Sequence, residues 1–206
     1  IPAFLEAVAR HHGQLLALSA CGLIVLFIIL RRTGRAVEAV VMNGGFTAMS
    51  FSVILLLLFQ TAYGSVFERV GLFTATFMAG SAAGALLPPA KSPLARLRLI
   101  EGAAALGLLA AAFFPAWESA LYLLNILSGT AAGALFAAAV QYQAEGDAAD
   151  RSGRFYGLDL AGAFLGALLT AILLVPLAGM GETILLLAAL KTGTFVLLLA
   201  VREGRA

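Results

Sequence analysis

Residues 44–63 read GGFTAMSFSVILLLLFQTAY, a stretch with no charged side chain and an unbroken Ile/Leu run at positions 54–58. As a helix, twenty residues rise roughly 30 Å, the thickness of a bilayer's hydrocarbon core. Hydrocarbon offers the backbone no hydrogen-bond partner, so a lipid-embedded segment must satisfy its own N–H and C=O groups, and a helix does so. The composition of the whole chain agrees with this reading. Of its 206 residues 62% are hydrophobic and 12% charged, about half the charge that covers a water-soluble domain, and the mean hydropathy is +1.00. A water-soluble protein is excluded.

Working outward, six further stretches are long and apolar enough to span. The seven lie at residues 14–30, 44–63, 70–87, 97–114, 119–140, 157–177 and 183–201. The expected fold is therefore all-α: a polytopic membrane helix bundle of about seven transmembrane helices. Residues 1–13 carry Phe4, Leu5 and Val8 among Glu6, Arg10, His11 and His12, the pattern of an interfacial lead-in. Residues 14–43 hold the first span and a basic loop, and residues 44–206 the remaining six helices. The chain opens at Ile1 rather than Met, and nothing in its first thirteen residues resembles a cleavable signal, so further sequence is expected upstream. Cys21 sits inside the first apolar stretch and reads as a small buried hydrophobe.

The formal charge of +2 is too small to argue for nucleic acid, so placement decides. Arg31, Arg32, Arg35, Lys91, Arg96, Arg98, Arg151, Arg154, Arg202 and Arg205 fall on one set of connections; only Arg10 and Arg69 fall on the other. Short basic loops stay cytoplasmic, which puts the first residues outside, the C-terminus inside, and the protein in a cytoplasmic (inner) membrane. Trp117, beside Phe113 and Phe114, marks the outer interface.

Between helices in lipid, close approach of small residues supplies the attraction. Gly80 and Gly84, Gly129 and Gly133, and Gly162 and Gly166 each form a GxxxG step, and helix packing is the reading for all six. The runs 44–87 (GGFTAMSFSVILLLLFQTAYGSVFERVGLFTATFMAGSAAGALL) and 153–181 (GRFYGLDLAGAFLGALLTAILLVPLAGMG) resemble the membrane part of spermidine synthase-like membrane proteins. That group includes fusions of a major-facilitator-like transmembrane half to an aminopropyltransferase-like domain. The resemblance covers the second to seventh spans, with YGLDLAGAFLGALL its most specific element, and implies one six-helix facilitator-like repeat with both ends cytoplasmic. Two departures stand out: Ser52 replaces a Glu frequent in that group, and Pro88 occupies the place of the Asp in the facilitator loop motif that begins at Gly84. No Gly-rich nucleotide loop or soluble stretch is present to house a synthase domain, so aminopropyltransferase chemistry is not expected here.

A charge near the bilayer centre costs at least about 2.5–3.5 kcal/mol, so ionisable groups within spans are candidates for function. Lys191, in LLLAALKTGTFVLLL, lies too deep to reach either interface and must face protein, water or an acid. A structural ion pair and a transport role both account for it; Thr192 and Thr194 beside it can bond their own helix. Asp159 and Glu101 lie near cytoplasmic helix ends with Arg154 and Arg98 as basic neighbours, so interfacial pairing is expected. Asp159 also matches the Asp of the resembling segment, which implies a gating or packing role. Gln60 and Asn125 fall in one layer roughly 9 Å inside the outer face. With Tyr63 and Tyr122 they make either one wall of a polar pathway or separate interhelical hydrogen bonds.

No catalytic triad, carboxylate pair or metal-ligand spacing is present, and adjacent His11 and His12 cannot chelate one ion together. Neither enzyme activity nor a cofactor is expected. The first expectation for function is a transporter-like domain moving small amines or polyamines, with a partner half supplied by another chain segment or a homodimer. The second is a non-transporting anchor or scaffold in a larger membrane complex, and a third is the membrane subunit of an electron-transfer assembly. The bilayer itself is the first partner.

Overall fold

A computed structural model describes residues 35–64, 67–113, 117–143 and 148–201. These residues form six long helices and no strand. They are α1 (Ala36–Tyr63), α2 (Phe67–Ala85), α3 (Pro93–Ala111), α4 (Glu118–Tyr142), α5 (Ala148–Leu169) and α6 (Met180–Leu199). The expected span at 14–30, the lead-in at 1–13, Cys21, His11 and His12 lie outside the described residues.

Four of the six helices are long and apolar enough to cross a membrane: α1, α4, the α5 region from Ser152 to Ala178, and α6. α2 and α3 are not among them. α2 opens on Glu68 and Arg69 and is otherwise rich in Ala, Gly, Ser and Thr, and α3 carries Arg96, Arg98 and Glu101, so both are less apolar than the leucine-rich α1 and α6. Large apolar side chains nevertheless line the outside of the bundle, with Leu99 71%, Leu106 69% and Phe164 64% exposed. Such a coat suits hydrocarbon rather than water.

Local chemistry sets the helix ends. Ser92 accepts a hydrogen bond from the Ala95 N–H (3.2 Å) and Pro93 occupies the first helical position, so α3 begins four residues earlier than apolarity alone suggests. α1 begins at Ala36 rather than Gly44, drawing part of the expected basic loop into the helix. Past Leu169, α5 continues through a π turn (Thr170–Leu174) into one α-helical turn (Val175–Ala178). Pro176 has no N–H to return to Ile172, and the π turn, closed by the Val175 N–H on the Thr170 carbonyl, takes up the mismatch. Gly179 alone then links α5 to α6 at φ +94°, backbone that a side chain rarely adopts.

The closest helix pairs are α2 with α4 and α1 with α5, followed by α3 with α6, and then α1 with α4, α3 with α4 and α1 with α6. Exchanging α1, α2 and α3 for α4, α5 and α6 maps this set of pairings onto itself. A Cβ placed on Gly80 or Gly84 would strike the Ile126 or Thr130 carbonyl of α4; one on Gly129 or Gly133 would strike the Phe77 or Ser81 carbonyl of α2. The register rises together on both helices, so α2 and α4 run parallel with two GxxxG steps face to face. On α5, Gly162 and Gly166 abut the Met42 and Phe46 carbonyls of α1, again in parallel.

Two apolar clusters fill the interior. One gathers Val40, Leu97, Ala138, Phe155 and Leu198 near the basic end; the other gathers Ile54, Phe59, Phe73, Leu121 and Leu187 at the far end. Polar side chains lie in the layer between.

Candidate functional site

Glu101 of α3 and Lys191 of α6 meet in that layer, with Lys191 Nζ 2.6 Å from Glu101 Oε1. Glu101 is fully buried and Lys191 5% exposed. The Thr194 hydroxyl donates to the other Glu101 oxygen. Asn43 Nδ2 of α1 donates to Thr194 Oγ1 (3.2 Å), and the Thr47 hydroxyl donates to Asn43 Oδ1 (3.4 Å). One network thus joins α1, α3 and α6. Opposite charges in contact, with the second carboxylate oxygen also hydrogen-bonded, are the arrangement that lets a buried pair persist.

The pairing corrects two expectations. Arg98 does not serve Glu101; its guanidinium donates to the Leu198 and Val201 carbonyls (3.1 and 2.7 Å) and so caps the C-terminal end of α6. Arg154 does not serve Asp159; it forms a 2.6 Å ion pair with Glu38, tying the start of α5 to the start of α1. Asp159 instead lies half-buried against α1, where a Cβ on Gly45 would strike its backbone, and its carboxylate is within electrostatic reach of Lys191.

Sequence reasoning set Glu101 near the interface beside Arg98 rather than against Lys191, and missed Asn43. Depth could have found the first. Glu101 is eight residues from the start of α3 and Lys191 eight from the end of α6, on the same side of the bundle, so both lie roughly 12 Å inside one face. An α3 begun at residue 97 hides that match.

The four outer polar residues do not form one wall. Asn125 is fully buried and donates to the Phe73 carbonyl (2.7 Å) and Thr76 hydroxyl (3.1 Å), an interhelical clasp between α4 and α2. Tyr122 packs its ring on Phe73 and Phe59 (centroids 4.6 and 5.9 Å). Gln60 is exposed while Phe59 beside it turns inward. Tyr63, 46% exposed, lies on Phe59 at the rim. There Arg69 of α2 bridges to Glu118 of α4 and lies 5.9 Å from the Phe59 ring centre.

A cavity of about 410 Å³ opens beside the ion pair, between α1, α3 and α4. Thr47 and Phe51 of α1, Ala104 and Gly107 of α3 and Ala131 of α4 line it, and Lys191 is its one charged lining residue. Among the described residues, no group of three or more His, Cys, Asp and Glu side chains is placed to hold a metal ion.

No family model matches the chain, and neither does any curated protein or solved structure.

Proposed function

We propose that this chain is a facilitator-like membrane half that completes a transport pathway for small amines or polyamines with a second half, in a cytoplasmic membrane with the basic helix ends inside. The observation that carries the reading is the helix pairing that maps onto itself when the first three helices exchange with the last three. Internal repeats of this kind underlie many transporter folds, which place their sites at the repeat interface near the midplane. Asp159 and the Glu101–Lys191 pair hold ionisable groups in that layer. Uptake of labelled spermidine into proteoliposomes tests it. The expected result is flux above empty vesicles that Asp159→Asn lowers about tenfold while Gln60→Ala, on an exposed position, leaves it unchanged. Flux indifferent to Asp159→Asn removes that carboxylate from any pathway.

One observation favours a second reading, a membrane anchor or scaffold. Lys191 and Glu101 neutralise each other, which holds three helices together without any cargo. Stoichiometric recovery of other membrane subunits from native membranes, with no flux, selects this reading.

A further inference from the structure

The cavity beside Lys191 has features that helix packing does not require. Three of its lining residues, Leu99, Leu127 and Leu87, are also 71%, 54% and 46% exposed on the outer, apolar surface of the bundle. A molecule entering between Leu99 and Leu127 crosses that apolar surface, the side that faces lipid. Apart from Lys191 and the hydroxyls of Thr47, Ser128 and Thr130, the lining is glycine and apolar side chains, so the body of the occupant is apolar. About 410 Å³ also falls within the size range of small-molecule sites, roughly 300–1,000 Å³.

Lys191 supplies the polar end. An ammonium carries three N–H donors, and among the described residues the side-chain hydrogen bond of Lys191 goes to Glu101. The ammonium is nine-tenths buried yet lines the cavity, so its remaining donors are open to an acceptor that enters there. Each buried N–H left without an acceptor is unfavourable, and an acceptor brought into the cavity relieves it. The charge of that acceptor is constrained as well. Glu101 is paired with the ammonium and Asp159 lies within its electrostatic reach, so an anion would face two carboxylates, while a protonated amine has no lone pair with which to accept. A neutral carbonyl oxygen meets neither penalty.

We infer that this cavity is a binding site for a neutral, carbonyl-bearing apolar molecule taken from the bilayer, its carbonyl oxygen accepting from Lys191 Nζ and its apolar body lying along α3 and α4. Two sources share this chemistry, a lipid ester and a quinone-type ring. The site holds whether or not the bundle carries cargo across the membrane.

Equilibrium binding to the full chain in nanodiscs tests it with three probes: a decyl-benzoquinone, a short-chain diacylglycerol, and a decylbenzene that matches the first without its oxygens. Saturable binding of the quinone or the diacylglycerol is expected, at least about tenfold tighter than the hydrocarbon, the worth of one hydrogen bond to a charged group. The tighter of the two identifies the source. Ala104→Phe, which fills the cavity and leaves the ion pair in place, is expected to abolish saturation. The double variant Lys191→Met/Glu101→Gln, which removes both charges together, is expected to bring the carbonyl probes down to the hydrocarbon's affinity and leave the hydrocarbon's unchanged. Equal affinity for all three probes, unaltered binding to Ala104→Phe, or no saturable binding to the native chain overturns the inference.

Discussion

At the scale of single residues, Glu101 and Lys191 matter through their asymmetry. Two charges in contact at 2.6 Å inside the bundle offset part of each other's desolvation, whereas either one alone is a buried charge without a counter-ion. Glu101→Gln and Lys191→Met are each expected to destabilise the bundle by about 3–5 kcal/mol, and the double variant to recover most of that loss. Thermal unfolding in detergent, read as a double-mutant cycle, measures the coupling; additive losses would show that the two side chains do not depend on each other. Half of this pair was legible in the sequence. A lysine at position 191 is conspicuous because no apolar span tolerates it alone, but its partner was masked by a helix boundary. Hydropathy starts α3 at residue 97 and leaves Glu101 near water, whereas the Ser92 cap and Pro93 start it earlier and carry Glu101 to the depth of Lys191. Apolarity marks where lipid begins, while capping marks where the helix begins, and the two differ where charged residues occupy the first turns. Asn43 gave no comparable sign, since a single amide in a glycine-rich turn is equally at home facing Thr194 or a neighbouring backbone.

At the scale of the helices, the glycines divide by what lies opposite them. The Gly133 Cα faces the Ser81 carbonyl so closely that a Cβ has no room, while a Cβ on Gly107 meets nothing within 4 Å. Gly107→Ala is therefore expected to raise stability by up to about 1 kcal/mol, the ordinary gain of alanine over glycine in a helix. Gly133→Ala, the same chemical change on a neighbouring helix, is expected to lower it and to weaken the α2–α4 pair. Urea or SDS titration of both variants checks the sign, and loss of stability in both would mean that the two sites are equally crowded. The GxxxG steps themselves were legible, but their partners were not. The α2 and α4 steps meet each other, whereas the α5 step meets an α1 that offers Gly45 and bare backbone at Met42 and Phe46. Spacing reveals that a helix has a flat face; only the fold reveals which face lies against it.

At the scale of the whole molecule, the alternation of the helices rests on parallel α1 and α5, parallel α2 and α4, and an antiparallel α3 and α6 joined by Arg98, Glu101 and Lys191. Both ends of the six-helix unit therefore lie on one side. In a Cys21→Ser background, Lys91→Cys and Thr61→Cys, on opposite ends of the bundle, are expected to react with a membrane-impermeant maleimide from opposite faces of sealed vesicles. Reaction of both from the same face would break the alternation. The basic residues announced this arrangement because Arg96, Arg98 and Arg154 also hold backbone or carboxylate partners at that end. What charge placement did not disclose is that α2 and α3 are poor spans by themselves. The Lys191–Glu101 bond turns that weakness into an order of events during synthesis. Glu101 emerges from the ribosome 90 residues before the side chain that neutralises it, so burial of α3 in the bundle is expected to wait for α6. A nascent chain cut before Met180 is expected to leave α3 accessible to water-borne glycosylation or alkylation, and extension of the chain through α6 to withdraw it, so that α6 is the helix that admits α3.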